Sequence, residues 1–270
     1  MKRLGKILLV LLLAVGLSFA MRALREEPKE YITYLGESLL IHKDVARNHF
    51  SFDDFTVEEG RVCYTGSAVR AMTVVDVSLW QGEIDWDAVA ADGVEGAMIR
   101  IGCRGYGSET GVLVEDERFR ENLAGAKQAG LAVGAYFFWQ AISEEETREE
   151  AQFALSLLDG EALDLPLAFD WERVESETAR TANVTGEELT AMAKVFCAEV
   201  EQAGHLPMVY FNQDLAYRMY DLSQVDEYPF WLAEYDAVPS FAYGFALWQY
   251  SDAGTVAGIA QKVDLNLWLG

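Results

Sequence analysis

The first indication of the fold of this chain comes from one stretch, Leu165-Pro166-Leu167-Ala168-Phe169-Asp170-Trp171-Glu172. Its apolar half, residues 165–169, is typical of a buried β-strand. Side chains at i and i+2 of a strand point to the same face, so Asp170 and Glu172 project together where the strand ends. Two carboxyls held this close in a partly apolar site cannot both ionise easily, and the pKa of one is raised. A proton donor beside a carboxylate that stabilises positive charge is the pair of groups that glycosidic bond cleavage needs.

Strand and helix patterns alternate from Thr73 onward. The helical patterns stand between the early strands, whereas the last three strands have only short connections. This arrangement predicts an α/β fold: a TIM-like (β/α) barrel, irregular in its C-terminal third, of the (β/α)5β3 type. The strands are predicted at 73–77, 96–101, 131–139, 165–171, 206–211, 228–233, 245–250 and 262–267, and the helices at 85–92, 115–129, 143–158 and 186–203.

The C-terminal ends of the predicted strands are rich in acids, amides and aromatic residues. Active sites of such barrels lie at these ends. Flat aromatic surfaces beside amide and acid groups suit a sugar, which has apolar ring faces and hydroxyl edges. We therefore expect Asp76, at the end of the first strand, to join Asp170 and Glu172 as a catalytic candidate. The candidate substrate contacts are Asp264, Arg100, Tyr136, Phe138, Gln140, Tyr210, Asn212, Trp231, Tyr235, Trp248 and Gln249.

The amino-acid composition limits the kinds of partner and cofactor that this protein is expected to bind. Hydrophobic residues make up 51% and aromatic residues 12% of the chain, which indicates a globular protein. The formal net charge of −23 argues against nucleic-acid binding, because phosphate contacts need clustered Lys and Arg. Three cysteines in unrelated contexts and three histidines suggest neither a disulfide framework nor a zinc site. A site without metal or cofactor is the default expectation.

The N-terminus is interpreted as a targeting segment. Lys2, Arg3 and Lys6 precede an unbroken apolar run at 7–21, so residues 1–21 are predicted to be a signal peptide or an N-terminal membrane anchor. Residues 22–72 are charged and weakly patterned. They are interpreted as a spacer, with a pro-segment as the alternative, and a small hairpin is expected within 50–64. Residues 73–270 are then the catalytic barrel, exported and either secreted or anchored on the extracellular face.

Several motifs follow one another in a distinctive order. They are Asp76-Val77-Ser78-x-Trp80-Gln81-Gly82-x-Ile84-Asp85-Trp86, Ile99-Arg100-x-Gly102-x-Arg104-Gly105-Tyr106-Gly107, Ala129-Gly130-Leu131-x-Val133-Gly134-x-Tyr136-Phe137-Phe138, Asp170-Trp171-Glu172, Trp231-Leu232-Ala233-x-Tyr235, Trp248-Gln249-Tyr250-Ser251 and Val263-Asp264-x-Asn266. With this ordered set, the chain from Thr73 to its C-terminus resembles the glycoside hydrolase family 25 lysozymes, the N-acetylmuramidases of the Chalaropsis type. The N-terminal 22–72 segment has no counterpart in the resemblance.

The resemblance implies a reaction and residue roles. The family hydrolyses the β-1,4 bond from N-acetylmuramic acid to N-acetylglucosamine in peptidoglycan. By the match, Glu172 is the general acid, and Asp170 stabilises the attacking group, which is either the substrate's own 2-acetamido oxygen or Asp170 itself. Asp76 and Asp264 match the other acids of the family's groove. After the second strand this chain has Arg100-Ile101-Gly102-Cys103-Arg104-Gly105, where many relatives have Lys-x-Ser-Glu-Gly.

Two interpretations from other classes stay open. One is a wall-binding protein without activity, and the other is a D-x-E glycosidase that acts on a chitin-like substrate. The expected partner is the glycan strand of peptidoglycan, with an N-terminal membrane tether as a further hypothesis. A monomer is the default, and the sequence leaves the oligomeric state open.

Overall fold

The computed structural model describes residues 30–105, 110–174, 176 and 179–270. The predicted signal or anchor segment 1–21, the first part of the predicted spacer, and Tyr106 and Gly107 of the second motif lie outside the described residues. Within the described part of the chain, no helix combines the length and the apolar character that a membrane span needs. The chain divides into two units, Met1–Lys43 and Asp44–Gly270.

The first unit contains a two-stranded hairpin. Strands β1 (Glu30–Tyr34) and β2 (Glu37–Ile41) pair antiparallel. The turn between them consists of Leu35 and Gly36, both with positive φ, which is the geometry that two-residue hairpin loops require. This hairpin lies in the segment that the sequence interpreted as a spacer.

The second unit begins with a segment that packs against a barrel. Strands β3 (Phe55–Glu58) and β4 (Arg61–Tyr64) form the small antiparallel hairpin that the sequence predicted within 50–64. The Phe55 ring lies 5.5 Å from the Trp248 ring, edge to face. The compact unit therefore starts at Asp44, whereas the sequence placed the start of the catalytic barrel at residue 73.

Eight strands close into a mixed barrel. Seven of these strands, β5, β6, β8, β9, β10, β11 and β12, pair parallel with one another in this order. The eighth, β13, runs antiparallel to both β12 and β5. All eight predicted strands are confirmed, with ends shifted by a few residues. Going round, the order is β5-β13-β12-β11-β10-β9-β8-β6, closed by the β5–β6 pairing, with short β7 added to β6. The bounds are β5 Met72–Val77, β6 Gly96–Arg104, β7 Leu113–Glu115, β8 Ala132–Trp139, β9 Leu167–Trp171, β10 Pro207–Asn212, β11 Phe230–Ala233, β12 Leu247–Gly254 and β13 Val263–Trp268.

Helices connect the first strands of the barrel. The four predicted helices are confirmed, and a short fifth one follows β10. Thr185 and Glu188 form a reciprocal capping box at the start of the longest helix. Gly125 lets the second helix approach Trp86 of the first, because a Cβ there would lie 2.3 Å from the indole Cδ1. The bounds are α1 Trp86–Ala91, α2 Phe119–Gln128, α3 Glu144–Leu158, α4 Gly186–Gln202 and α5 Gln213–Arg218.

The barrel interior changes from apolar to polar along each strand. Val74, Met98 and Ala168 belong to one buried apolar cluster in the interior. Two residues further along the same strands come Asp76, Arg100 and Asp170. Because side chains at i and i+2 share a face, these polar groups also point inward, one step nearer the C-terminal ends. The apolar layer thus forms the base of a polar mouth.

Candidate active site

A cavity of about 420 Å³ opens at the C-terminal ends of the barrel strands. Most of the predicted site residues line it, and they come from different strands that only the closed barrel brings together. The predicted residues along its wall are Asp76, Arg100, Tyr136, Phe138, Asp170, Glu172, Tyr210, Trp231, Tyr235, Gln249 and Asp264.

Asp170 and Glu172 form a buried carboxyl pair at the end of β9. They line the same cavity and are hydrogen-bonded to each other. Burial, and then the neighbouring Glu172 carboxylate, raise the pKa of Asp170 well above its ordinary value. Burial also raises the pKa of Glu172. The pair therefore retains a shared proton at a pH where two exposed acids have lost theirs.

One oxygen of this pair is unused by the protein. Among the described residues, none forms a hydrogen bond with the buried Oδ1 atom of Asp170. A buried acceptor without a partner is costly, so such an atom marks a place where a ligand donor is favourable.

Asp76 and Asp264 form a second carboxyl pair across the barrel wall. They are directly opposite in the antiparallel register of β5 and β13 and are hydrogen-bonded. Burial, and then the Asp76 carboxylate, raise the pKa of Asp264 to about 9. Asp76 Oδ2 also accepts from Asn266 Nδ2 at 2.7 Å and from Gln249 Nε2 at 3.0 Å. Burial raises the pKa of Asp76, and the hydrogen bonds from Asn266, Gln249 and Asp264 oppose this rise. The two carboxyls of this pair therefore share a proton at neutral pH.

The two amides that bind Asp76 are themselves held in one orientation. Trp231 Nε1 can only donate, and it donates to Asn266 Oδ1 at 2.8 Å, which turns the NH₂ group of Asn266 toward Asp76. The Tyr235 hydroxyl donates to Gln249 Oε1 at 3.0 Å, which does the same for Gln249. The Oδ2 atom of Asp76 is thus held by amide donors whose orientation is set by groups near the ends of other strands.

Aromatic side chains complete the walls of the cavity. The Trp231 ring is almost fully buried and stands edge to face with the rings of Tyr136 at 5.8 Å and Tyr210 at 5.0 Å. Trp80 and Tyr235 lie at the rim and are 70% and 55% exposed. The cavity therefore offers apolar ring faces next to carboxyl and hydroxyl groups.

Three predicted contact residues do not line this cavity. Gln140 is fully buried, and its Nε2 donates to the backbone oxygens of Trp139 and of Glu172 at 2.8 and 2.9 Å. Asn212 caps helix α5 by accepting from the Leu215 amide. Trp248 lies on the opposite face of β12 from Gln249. Gln140 thus supports the backbone of Glu172 from behind.

The cavity wall also contains residues that were not among the predicted contacts. Ser78 and Gln81 form a capping box around a short 3-10 turn, Leu79–Gln81, which carries Trp80. These residues belong to the first motif, so the signal for them was present in the sequence. Cys103 lines the cavity as well. Within the described residues, no cluster of three or more His, Cys, Asp or Glu side chains has the arrangement of a metal site.

Comparison with known proteins assigns the family. Residues 75–259 match the family model described as glycosyl hydrolases family 25. The match covers more than half of the chain, so the chain belongs to glycosyl hydrolase family 25.

Named relatives and solved structures are similar over the same region. The chain is 26% identical over 196 residues to the autolytic lysozyme of Clostridium acetobutylicum, covering 72% of this chain and 55% of that protein. It is 28% identical over 206 residues to Lysozyme M1 of Streptomyces globisporus, covering 73% and 67%. The chain thus spans about half the length of the clostridial relative.

The fold is shared with solved structures. A family 25 glycosyl hydrolase from Bacillus anthracis superposes with a TM-score of 0.59 at 22% identity, covering 74% of this chain and 89% of that one. The modular autolysin LytC of Streptococcus pneumoniae gives a TM-score of 0.66 at 20% identity, covering 90% of this chain and 57% of that one.

Proposed function

We propose that this chain is a peptidoglycan hydrolase, a lysozyme that cleaves the β-1,4 bond between N-acetylmuramic acid and N-acetylglucosamine. The observation that carries the proposal is the hydrogen-bonded pair Asp170 and Glu172 in one cavity with aromatic walls. The relatives named as lysozymes support it, and LytC has been solved with a synthetic peptidoglycan ligand.

Glu172 is the general acid in this proposal. Burial raises its pKa, which favours the protonated form, and in this proposal it donates the proton to the oxygen of the leaving sugar as the glycosidic bond breaks. Gln140 holds the backbone of Glu172 in place from the buried side. Loss of one general acid typically costs about 10²–10⁴ in rate, which sets the scale for a test.

Asp170 assists on the other side of the bond. Two carboxyls separated by one residue leave little room for an enzyme nucleophile across the ring, which favours attack by the substrate's 2-acetamido oxygen. Asp170, with its unpaired Oδ1, then accepts the acetamido N–H and stabilises the charge that develops. Covalent attack by Asp170 is the alternative. Asp76 and Asp264 hold the sugar and tune the charge around the pair.

The barrel type and the location belong to the same proposal. We infer a (β/α)5β3 variant of the TIM-like barrel, which the five helices after the first barrel strands and the three helix-free final strands support. Residues 1–21 export or tether the chain. Of the predicted spacer 22–72, the part before Asp44 keeps the role of a spacer, and the barrel acts on the wall from the extracellular side.

The test is fragment analysis of digested peptidoglycan. Purified protein is incubated with peptidoglycan, the new reducing ends are reduced with borohydride, and the fragments are identified by mass spectrometry. Reduced muramic acid ends are expected. Reduced glucosamine ends, or cleavage of chitin oligomers alone, would assign a different glycosidase, and binding without any release would indicate an inactive wall-binding protein.

A matched pair of variants ties the activity to the site. Glu172→Gln is expected to lower the rate by about 10²–10⁴ with an unchanged melting temperature. Glu150→Gln is the control, because Glu150 is also a buried glutamate but lies beside Arg104, away from the cavity. It is expected to retain activity. Equal activity of Glu172→Gln and wild type would refute the assigned role.

A further inference from the structure

Asp116 is a buried carboxylate that does not line the cavity but bonds two elements that do. Its side chain is fully buried. Oδ2 accepts from the backbone amide of Leu79 at 3.0 Å and from Arg100 Nε at 2.8 Å. Oδ1 accepts from the backbone amide of Arg118 at 2.9 Å, which closes the loop on which Asp116 sits. One carboxylate thus connects the turn that follows β5 with Arg100 in the middle of β6.

The first of these elements is the 3-10 turn Leu79–Gln81 at the cavity rim. It carries Trp80, the most exposed aromatic residue of the cavity. The turn is fastened on both sides: Asp116 binds the Leu79 amide, and Gln81 Nε2 donates to the Lys262 carbonyl at 3.2 Å. The position of the rim therefore depends on the bond to Asp116.

The second element is the guanidinium of Arg100. Among the described residues that line the cavity, Arg100 brings a positive charge to a wall that also carries four carboxyls. Arg100 is held through Nε, and a planar guanidinium fixed at one nitrogen has its whole plane oriented. Coulomb energy varies inversely with distance, so the effect of this charge on a carboxyl depends on where the guanidinium is kept.

We propose that Asp116 is a positioning residue of this active site. By binding Arg100 and the rim turn with one carboxylate, it keeps the guanidinium at the cavity wall, where its charge favours the ionised form of Asp170 and so favours transfer of the shared proton to Glu172. The inference rests on the proposed function, since it assigns the proton to the general acid of that reaction.

The surroundings of Asp170 show why one cation matters. Burial and the carboxylates of Glu172 and Asp76 raise the pKa of Asp170, whereas Arg100 lowers it. Arg100 is the positive group in this set, so removing it from its place leaves every remaining influence acting to protonate Asp170. The titratable and charged groups that act on Asp170 or are acted on by it are Glu172, Asp76, Arg100, Tyr136, Tyr210 and Tyr220.

The experiment is the pH profile of kcat/KM for Asp116→Asn. Asparagine keeps the size of the side chain but loses the charge that holds Arg100. When the guanidinium is released, Asp170 ionises less readily, so the acid limb is expected to move to higher pH. The value at the optimum is expected to fall on the order of 10²-fold, as for displaced catalytic groups, mainly in kcat.

The direction of the shift separates positioning from charge alone. If Asp116 acted only by neutralising a fixed Arg100, its removal would strengthen the field of Arg100 and move the acid limb to lower pH. A purely structural role would lower the melting temperature and leave the limb in place. Either of these outcomes overturns the proposal.

Asp92→Asn is the matched control. Asp92 also accepts from an arginine, Arg61, and from a backbone amide, that of Ala257 at 2.9 Å, but it does not line the cavity. This variant is expected to lower the melting temperature without moving the acid limb. An equal movement of the limb in both variants would attribute it to general loosening and overturn the assignment to Asp116.

Arg100→Lys covers the case in which Asp116→Asn does not fold. Lysine keeps the positive charge but has no planar group that can be held at Nε. The acid limb of the pH profile is expected to move to higher pH in this variant too. An acid limb that stays in place contradicts the proposal. Cleavage by the wild type is measured alongside: a wild type without glycan cleavage refutes the proposed function, whereas an active wild type with normal Asp116→Asn and Arg100→Lys profiles refutes this inference only.

Discussion

Asp264 shows how one buried acid makes the protein sensitive to pH. Its pKa is about 9 in the folded protein and about 3.9 in an unfolded chain. Between these values the folded state binds more protons than the unfolded state, so the free energy of unfolding falls as the pH rises from about 4 to 9. The contribution of Asp264 to the free energy of unfolding is complete at low pH, and it is lost progressively as the pH rises through this range.

The variant Asp264→Asn tests this directly. Asparagine cannot titrate but can still donate a hydrogen bond to Asp76. We expect the melting temperature of the variant to fall less between pH 5 and pH 9 than that of the wild type, as measured by circular dichroism. The exposed Asp53→Asn serves as control and is expected to keep the wild-type slope. Identical slopes in Asp264→Asn and wild type would contradict the expectation.

Local periodicity explains which site residues the sequence revealed. Asp170 and Glu172 are two residues apart on one strand, so their common face follows from the strand period alone. The same period separates neighbours: Gln249 lines the cavity, and the adjacent Trp248 lies on the opposite face of β12. Because of this period, Gln249 and Trp248 cannot both face the cavity. Asn212 likewise has the residue type and position of a helix cap.

Long-range partners explain what the sequence did not reveal. Asp116 lies in a loop, and its two partners in the site are 16 and 37 residues away. The pairing of Asp76 with Asp264 depends on the register of an antiparallel strand pair that only barrel closure creates. Neither set of partners can be predicted from a local sequence pattern.

Among the strands and helices, those with a long, clear sequence pattern were predicted, and several with a short or weak pattern were not. The barrel strands are apolar runs, and the long helices have caps, so their presence was predictable. Strand β7 has three residues and helix α5 has six, and both are shorter than the stretch over which a periodic pattern can be recognised. The segment after Asp44 has weak local patterning because its order comes from contacts with the barrel, such as that of Phe55 with Trp248.

The β3–β4 hairpin provides a prediction at this scale. Phe55 is 7% exposed and contacts the rings of Phe50, Tyr64 and Trp248. Removing a buried phenylalanine side chain typically costs about 3–5 kcal/mol, so Phe55→Ala is expected to lower the melting temperature clearly. The hairpin does not line the cavity, so the activity of the folded variant should stay close to that of the wild type.

Val57→Ala is the control for this variant. Val57 lies on the same strand but is 55% exposed, so its truncation removes little packing and should change the melting temperature only slightly. Equal stability of Phe55→Ala and Val57→Ala would mean that the hairpin is not part of the stable unit. Loss of activity in folded Phe55→Ala would show that the hairpin influences the cavity.

The charge of the whole molecule has a consequence of its own. The chain has 44 acidic and 21 basic residues, so its formal net charge is −23 at pH 7. Such an excess destabilises the compact state through self-repulsion, and salt screens this repulsion between exposed charges. Salt also weakens the exposed ion pairs, such as Arg148–Glu144, but pairs of this kind contribute little. The buried pair Arg104–Glu150 is screened much less.

We therefore expect salt to stabilise this protein. Raising the concentration of NaCl from about 0.1 M to 1 M shortens the Debye length from about 10 Å to about 3 Å, and the melting temperature at pH 8 should rise. At pH 5 the exposed carboxylates begin to bind protons, so the same addition should have a smaller effect. Repeating the series with KCl separates screening from ion-specific binding. A melting temperature that falls with salt would show that ion-pair attraction outweighs the repulsion of the 44 acids.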